Sequence, residues 1–530
     1  MILRALLTLL WLAGMLVSPA HAALDPALIK QLNADDADQK ILAIKQLALT
    51  ADADTTRVLQ ALASDALMID GDRVIRMDGE RAYDAVTGQE INPLPDSATA
   101  MVINNRVRGE LDTTLAALKL FAPDRARRLA AAKQMEDSAD PFFLPILDRA
   151  YAQEKDAEIK DLVGQARALI TLKNPDPAKR LAAVKTLGES DNPSLKVRLI
   201  ALTDPSKEPD ERVRLEAKTS LRALNARLTL GENIERIFTG LSLGSVLLLA
   251  ALGLAITYGV MGVINMAHGE LLMVGAYATY VVQTLFRHYL PGALDWYVVA
   301  AVPVAFFSAA LAGIILERTV IRWLYGRPLE TLLATWGLSL ILIQAARVIF
   351  GPQNLEVANP TWMSGGVQLM SNVVLPWNRI IIIGFALFVL GLVWVLLNRT
   401  RLGLFVRAVT QNRAMAGCVG VPTGRIDTLA FGLGAGIAGL GGVALSQIAN
   451  VGPDMGQGYI VDSFMVVVLG GVGQLAGAAW AALGLGIASK FLEGWVGAVI
   501  AKIVVLTFII IFIQKRPQGL FALKGRFVDS

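Results

Sequence analysis

Two hydrophobic patterns divide the chain. Up to about residue 232, apolar residues recur every three or four positions between charged ones, the period of amphipathic helices. Beyond that point the apolar positions merge into stretches bounded by charge, at 237–264, 267–286, 296–316, 331–350, 380–397, 428–449, 463–489 and 494–513. Runs of that length predict helices crossing a hydrocarbon layer about 30 Å thick. Helices satisfy every backbone polar group within the segment, which lipid demands. The expected fold is therefore all-α, a polytopic helical membrane domain of about eight spans (233–530) preceded by a mainly helical soluble domain (23–232).

The first 22 residues form a separate pattern: Arg4, an apolar run from Ala5 to Val17, then Pro19, Ala20, His21 and Ala22 before Ala23. That reads as a secretory signal peptide cleaved after Ala22, which places the soluble domain outside the cytoplasm. Within that domain a phrase recurs, as 41–47 (ILAIKQL), 129–135 (LAAAKQM) and 181–187 (LAAVKTL). Repetition at helical spacing predicts stacked hairpins of a HEAT-like solenoid, with a plain helical bundle as the alternative. Between the first two phrases, Val74–Met77 and Arg81–Ala85, with Asp78-Gly79 and Thr87-Gly88 beside them, predict an inserted β-hairpin.

Charge supports the division. Residues 1–235 hold 31 Lys/Arg and 35 Asp/Glu, whereas 236–530 hold only 18 and 10. The basic excess thus belongs to the membrane half, where it orients spans, and is no nucleic-acid footprint. Arg318, Arg322 and Arg327 follow the third span and Arg399, Arg401, Arg407, Arg413 and Arg425 the fifth, while 351–378 has no Lys or Arg. Both basic loops are expected in the cytoplasm. Eight crossings from outside would nevertheless leave Lys515, Arg516, Lys524 and Arg526 outside. One span must depart from a simple crossing, and 463–489, broken by Gly470, Gly471 and Gly473, is expected to be re-entrant, two half-helices returning to one side. Cys418 is the only cysteine, which excludes an intrachain disulfide and a cysteine-based zinc site.

Ionisable and polar residues inside apolar spans mark candidate chemistry. Asn265, His268 and Glu270 cluster between the first two spans, and Thr335, Trp336 and Ser339 give the fourth a polar face. These six are candidates for a translocation path; a hydrogen-bonded helix turn and helix packing are the alternatives. Lys502 in the last span is expected to snorkel or to pair within the bundle. Gly434-Ala-Gly436-Ile-Ala-Gly439 matches G-x-G-x-x-G, but no strand precedes it, so Gly432 and Gly436 are read as small-residue helix contacts.

The stretch 259–277 (GVMGVINMAHGELLMVGAY) resembles the signature of the LivH family, membrane permeases of branched-chain amino acid type ABC importers. Within it, 332–340 (LLATWGLSL), 351–360 (GPQNLEVANP) and 512–526 (FIQKRPQGLFALKGR) resemble the urea-permease, UrtB-type members. The resemblance covers 233–526. It implies an importer of urea or a short amide in the inner membrane, with a second permease subunit, cytoplasmic ATP-binding subunits and a periplasmic substrate-binding protein. It also implies that Arg399, Arg401, Gly403, Arg407, Gln411, Asn412 and Arg413 belong to a coupling helix for the ATPase; an amphipathic helix on anionic membrane lipid is the alternative. No G-x-x-x-x-G-K-[ST] occurs, so energy must come from another subunit, and no cofactor or catalytic motif is present. Branched-chain amino acids remain an alternative substrate, and a membrane receptor or scaffold an alternative class.

Overall fold

The computed structural model describes residues 24–521 apart from 51, 72, 80, 96 and 137–139. The expected signal segment, Lys524 and Arg526 lie outside the described residues. The chain divides into two compact units, Met1–Arg227 and Leu228–Ser530.

The first unit opens with α1 (Pro26–Gln31), α2 (Ala37–Thr50) and α3 (Ala53–Ala63). Strands β1 (Leu67–Asp70), β2 (Arg73–Asp78), β3 (Arg81–Asp84), β4 (Glu90–Ile91) and β5 (Thr99–Ala100) follow. Then come α4 (Asn105–Lys119), α5 (Arg125–Glu136), α6 (Leu144–Gln153), α7 (Ala157–Thr171), α8 (Pro177–Glu189), α9 (Leu195–Ala201) and the start of α10 (Glu211–Met261). The recurring phrases fall on α2, α5 and α8, and each buries the same positions: Ala43, Ile44 and Leu47; Ala131, Ala132 and Met135; Ala183, Val184 and Leu187.

Polar bonds repeat with them. Asp36, Asp124 and Asp176 cap the three helices by accepting backbone N–H bonds from Asp38, Ala126 and Ala178. Arg128 folds back onto the carbonyls of Ala122 and Pro123 and pairs with Glu154; Arg180 does the same with Asn174, Pro175 and Glu208. Glu154 and Glu208 in turn accept the N–H groups of Asp156 and Asp210, which cap α7 and α10. In the first copy Lys40 stands where the arginines do and reaches the Val102 carbonyl instead, at 3.2 Å. Three-helix repeats are thus stacked, and the sheet is inserted before the third helix of the first one. That sheet has five antiparallel strands in the order β4-β3-β2-β1-β5, larger than the expected hairpin. β4 and β5 are two residues each, too short to show alternation in sequence.

After α10 the second unit contains α11 (His268–Tyr289), α12 (Tyr297–Thr319), α13 (Pro328–Phe350), strands β6 (Gly366–Met370) and β7 (Val373–Pro376), and α14 (Trp377–Arg399). It continues with α15 (Arg401–Gln411), α16 (Arg413–Cys418), α17 (Thr423–Ser446), α18 (Met455–Gly470), α19 (Leu475–Val496) and α20 (Ala498–Lys515). Among the described residues, seven helices are long and apolar enough to cross a membrane: α10, α12, α13, α14, α17, α19 and α20. α18 is shorter, and α11 carries His268, Glu270, Gln283, Arg287 and His288.

The core is built on α17. Of its most apolar stretch 89% is buried, against 22% in α13 and α14 and 17% in α20, so these last three present their apolar surface outward. Glycines let the neighbours approach α17 backbone to backbone: Gly434 meets the Gly253 carbonyl of α10, Gly442 the Leu272 carbonyl of α11, and Gly439 the Ala305 carbonyl of α12. Gly432 and Gly436 face Ile314 and Phe306 of α12.

The expected re-entrant element takes another form. The stretch 463–489 breaks at Gly471, whose φ is +100°, but the break is a short turn between a 16-residue and a 22-residue helix. At 1.5 Å per residue these are about 24 and 33 Å long, each comparable with a hydrocarbon core and neither a half-helix. Beyond α20, Leu520 N–H donates to the Leu469 carbonyl at 2.8 Å and Phe521 N–H to that of Gly470 at 3.3 Å, tying the tail to this turn. Irregular backbone lies instead at 262–267. From Gly262 (φ +66°) the chain doubles back along α10 until His268 Nε2 is 3.0 Å from the Ala250 carbonyl oxygen.

The hydrogen bond from Arg180 outweighs burial and holds the Glu208 carboxyl below the ordinary glutamate value of 4.5. A depressed folded-state pKa contributes stability that is present above the unfolded value and is lost as pH falls through the folded one. Thermal unfolding of the full-length protein should therefore show first-unit stability declining below about pH 4.5. Arg180→Ala should lose about 3 kcal/mol already at neutral pH, because it strands a buried carboxylate. In the second unit, Gly442→Leu should abolish monodisperse detergent-solubilised protein, whereas Gly337→Leu, with nothing within 4 Å of the added Cβ, should leave yield and melting point unchanged.

Candidate functional site

The turn 262–267 delivers Asn265 and the start of α11 into the interior. Asn265, His268 and Glu270 are 2%, 0% and 0% exposed, so all three sequence candidates enter the protein. Across from them α13 turns Thr331, Thr335, Ser339, Ile343 and Ala346 inward, a stripe at helical spacing. The two faces meet in a polar seam. Met266 N–H donates to Thr335 Oγ1 at 3.2 Å, and Ser339 Oγ donates to Glu270 Oε1 at 2.5 Å. Trp336 does not join it. One residue off the stripe, its side chain lies on the outer face at 52% exposure.

Four buried polar atoms around this seam have no partner: Asn265 Nδ2, His268 Nδ1, Glu270 Oε2 and Tyr277 Oη. Unsatisfied buried polar groups are costly and mark strain, chemistry or a missing ligand. The free oxygen of Glu270 is pressed against Gly456 at the start of α18, where a Cβ would collide with it. Two residues earlier, Asp454 pairs with Arg347 of α13 at 2.8 Å. Tyr277 stacks on Phe350 with ring centroids 4.3 Å apart. Arg347 and Asp454 gave no signal in the sequence, because their pairing joins positions 107 residues apart.

The second candidate group runs from Arg399 at the end of α14 through two short helices, α15 and α16. Gly403 is buried with its Cα against the Leu397 carbonyl, where a side chain has no room. Arg399, Arg401, Arg407 and Gln411 are exposed, and Arg407 Nη1 donates to Asn398 Oδ1 at 3.1 Å. Asn412 breaks the segment and caps α16 by accepting the Met415 N–H at 2.9 Å. Leu404, Met415 and Val419 are 57%, 61% and 72% exposed, so the segment carries an unpartnered apolar surface among its arginines. Arg413 departs from the group: its guanidinium turns inward to Asp427 of α17. Lys502 pairs within the bundle, 3.4 Å from Asp462 of α18.

Residues 236–514 match the family described as branched-chain amino acid transport system / permease component. The chain is 29% identical over 293 residues to the high-affinity branched-chain amino acid transport system permease protein BraD of Pseudomonas aeruginosa, covering 54% of this chain and 95% of that one. It is 29% identical over 295 residues to the corresponding permease LivH of Escherichia coli K12, covering 54% and 94%. A probable LivH permease of Methanocaldococcus jannaschii is 23% identical over 291 residues, covering 52% and 88%. No solved structure matches the chain.

Ser339→Ala removes the hydrogen bond to Glu270 Oε1 and should destabilise the second unit by about 1–3 kcal/mol. Trp336→Ala, on the outer face, should leave the melting point of the detergent-solubilised protein within a degree or so of wild type, about what a few tenths of a kcal/mol would give.

Proposed function

This chain belongs to the family of branched-chain amino acid transport system permease components, and from that premise we propose that its second unit forms half of the gated pathway of an ABC importer. Permease components are not enzymes, and the family together with the seven apolar helices makes this a multi-pass inner membrane protein. The family match over 236–514 carries the reading. The buried seam within that stretch supplies what a pathway needs, polar atoms that are shielded from lipid and incompletely satisfied.

In this reading the seam of Asn265, His268, Glu270, Thr335 and Ser339 lies on the path, and alternate access comes from movement of the helices around it. The exposed apolar and basic surface of α15–α16 receives the cytoplasmic ATP-binding subunit, because a chain without a P-loop needs a lever on which a separate motor can push. A second permease subunit completes the pathway and a periplasmic substrate-binding protein loads it. With α11 and α18 counted beside the seven long helices, nine crossings run from an extracytoplasmic first unit to a cytoplasmic tail. An odd number puts Lys515 and Arg516 on the same side as the arginines of 399–425, as the distribution of basic residues favours. The HEAT-like first unit then serves as an extracytoplasmic binding surface.

For the substrate, BraD and LivH are branched-chain amino acid permeases by name, which favours branched-chain amino acids over the urea expected from the sequence phrases. Uptake of radiolabelled leucine and of radiolabelled urea should be compared in a strain lacking this chain and in one complemented with it. Leucine uptake should fall on deletion and return on complementation. Loss and return of urea uptake alone would overturn the amino acid assignment, and no change in either would overturn the importer.

A further inference from the structure

The inward turn of Arg413 sets up a charged cluster that the path does not use. Arg413 opens α16, and both terminal nitrogens of its guanidinium bond both oxygens of Asp427, with Nη1 3.1 Å from Oδ1. The Asp427 side chain, early in α17, is 1% exposed. The neighbouring Thr428 hydroxyl donates to Glu317 Oε2 at 2.8 Å, at the far end of α12, and Glu317 is also 1% exposed. From the loop after α12, Tyr325 places its ring 4.9 Å from the guanidinium. The cluster therefore joins α16, the first turns of α17 and the exit of α12, with Arg413 on Asp427 and Thr428 on Glu317.

The two sides of this link differ in stiffness. α17 is packed glycine to backbone against α10, α11 and α12, so its first turns cannot shift without moving those neighbours. On the other side, α16 exposes Arg413, Ala414, Met415, Gly417 and Cys418 and buries only Ala416. A bidentate guanidinium–carboxylate pair fixes direction as well as distance, which a lysine in the same place would not. A pull on α16 is thus delivered to α17 along a defined line. We propose that Arg413 and Asp427 are positioning residues, a tether that converts displacement of α15–α16 into displacement of α17. This rests on the reading of α15–α16 as the surface that receives the motor.

The test uses the complete importer, with its ATP-binding subunits and binding protein, reconstituted in liposomes. Substrate taken up per ATP hydrolysed is measured for wild type, Asp427→Asn and Arg413→Lys. Cys418, the only cysteine and exposed, carries a fluorophore that reports movement of α16 on ATP addition. If the tether transmits the stroke, Asp427→Asn keeps ATPase binding and the Cys418 signal while uptake per ATP falls tenfold or more, and Arg413→Lys falls between it and wild type. Unchanged uptake per ATP in Asp427→Asn overturns the proposal, as does a parallel fall of hydrolysis and uptake at constant ratio. Arg407→Glu separates the underlying reading: if it leaves the ATP-binding subunit bound with wild-type affinity, α15 is not the motor surface. Should Asp427→Asn fail to reach the membrane, the same ratio measured on Arg413→Lys decides, an unchanged value overturning the tether.

Discussion

Close approach of backbones is the constraint on which the membrane unit depends. Between two helices in lipid there is little hydrophobic driving force, because the surrounding chains are as apolar as the side chains, so association relies on van der Waals contact at short range. α17 meets this demand on three sides at once, with Gly434 toward α10, Gly442 toward α11 and Gly439 toward α12. The reciprocal positions are small as well, since Gly253 and Gly275 lie where their neighbours' carbonyls leave no space for a Cβ. A helix so enclosed has no face left for lipid, and α13, α14 and α20 take that role.

The same packing makes buried polar groups sustainable. Glu270, Glu317 and Asp427 are nearly or fully inaccessible to solvent. Each is held by a partner from another helix: Ser339, Thr428 and Arg413 respectively. Two of these acids lie at the α12–α17 junction near the basic segment, and the third faces the seam between α11 and α13. The central helix therefore runs from the basic segment at one end to the polar seam alongside it.

The apolar character of the second unit, the short repeated phrase and the clustering of Asn265, His268 and Glu270 could be read from the sequence, because each depends on local period or on the cost of charge in an apolar run. The phrase marked three helices, and the structure adds that the same three slots turn inward on α2, α5 and α8. What escaped were side-chain pairings between helices. Arg413 looks like its neighbours Arg401 and Arg407 in sequence, and only the fold brings Asp427 beneath it. Trp336 was grouped with Thr335 and Ser339 by proximity along the chain, although a step of one residue rotates a helix by about 100° and carries it off the buried stripe. The glycine break in 463–489 was visible but its consequence was not, because a turn and a half-helix loop share the same composition. The five-stranded sheet was seen only as its longest hairpin for want of alternation in its edges.

The backbone bonds from Leu520 and Phe521 to the end of α18 give the chain's last described residues a structural duty. Helix termini leave carbonyls that need donors, and here the donors come from the segment that follows α20. Truncating the protein at Lys515 to obtain a tidier carboxyl end would strip the carbonyls of Leu469 and Gly470 of those donors, next to the glycine turn. Affinity tags and fluorescent fusions are accordingly better appended downstream of Phe521 than substituted for the residues before it.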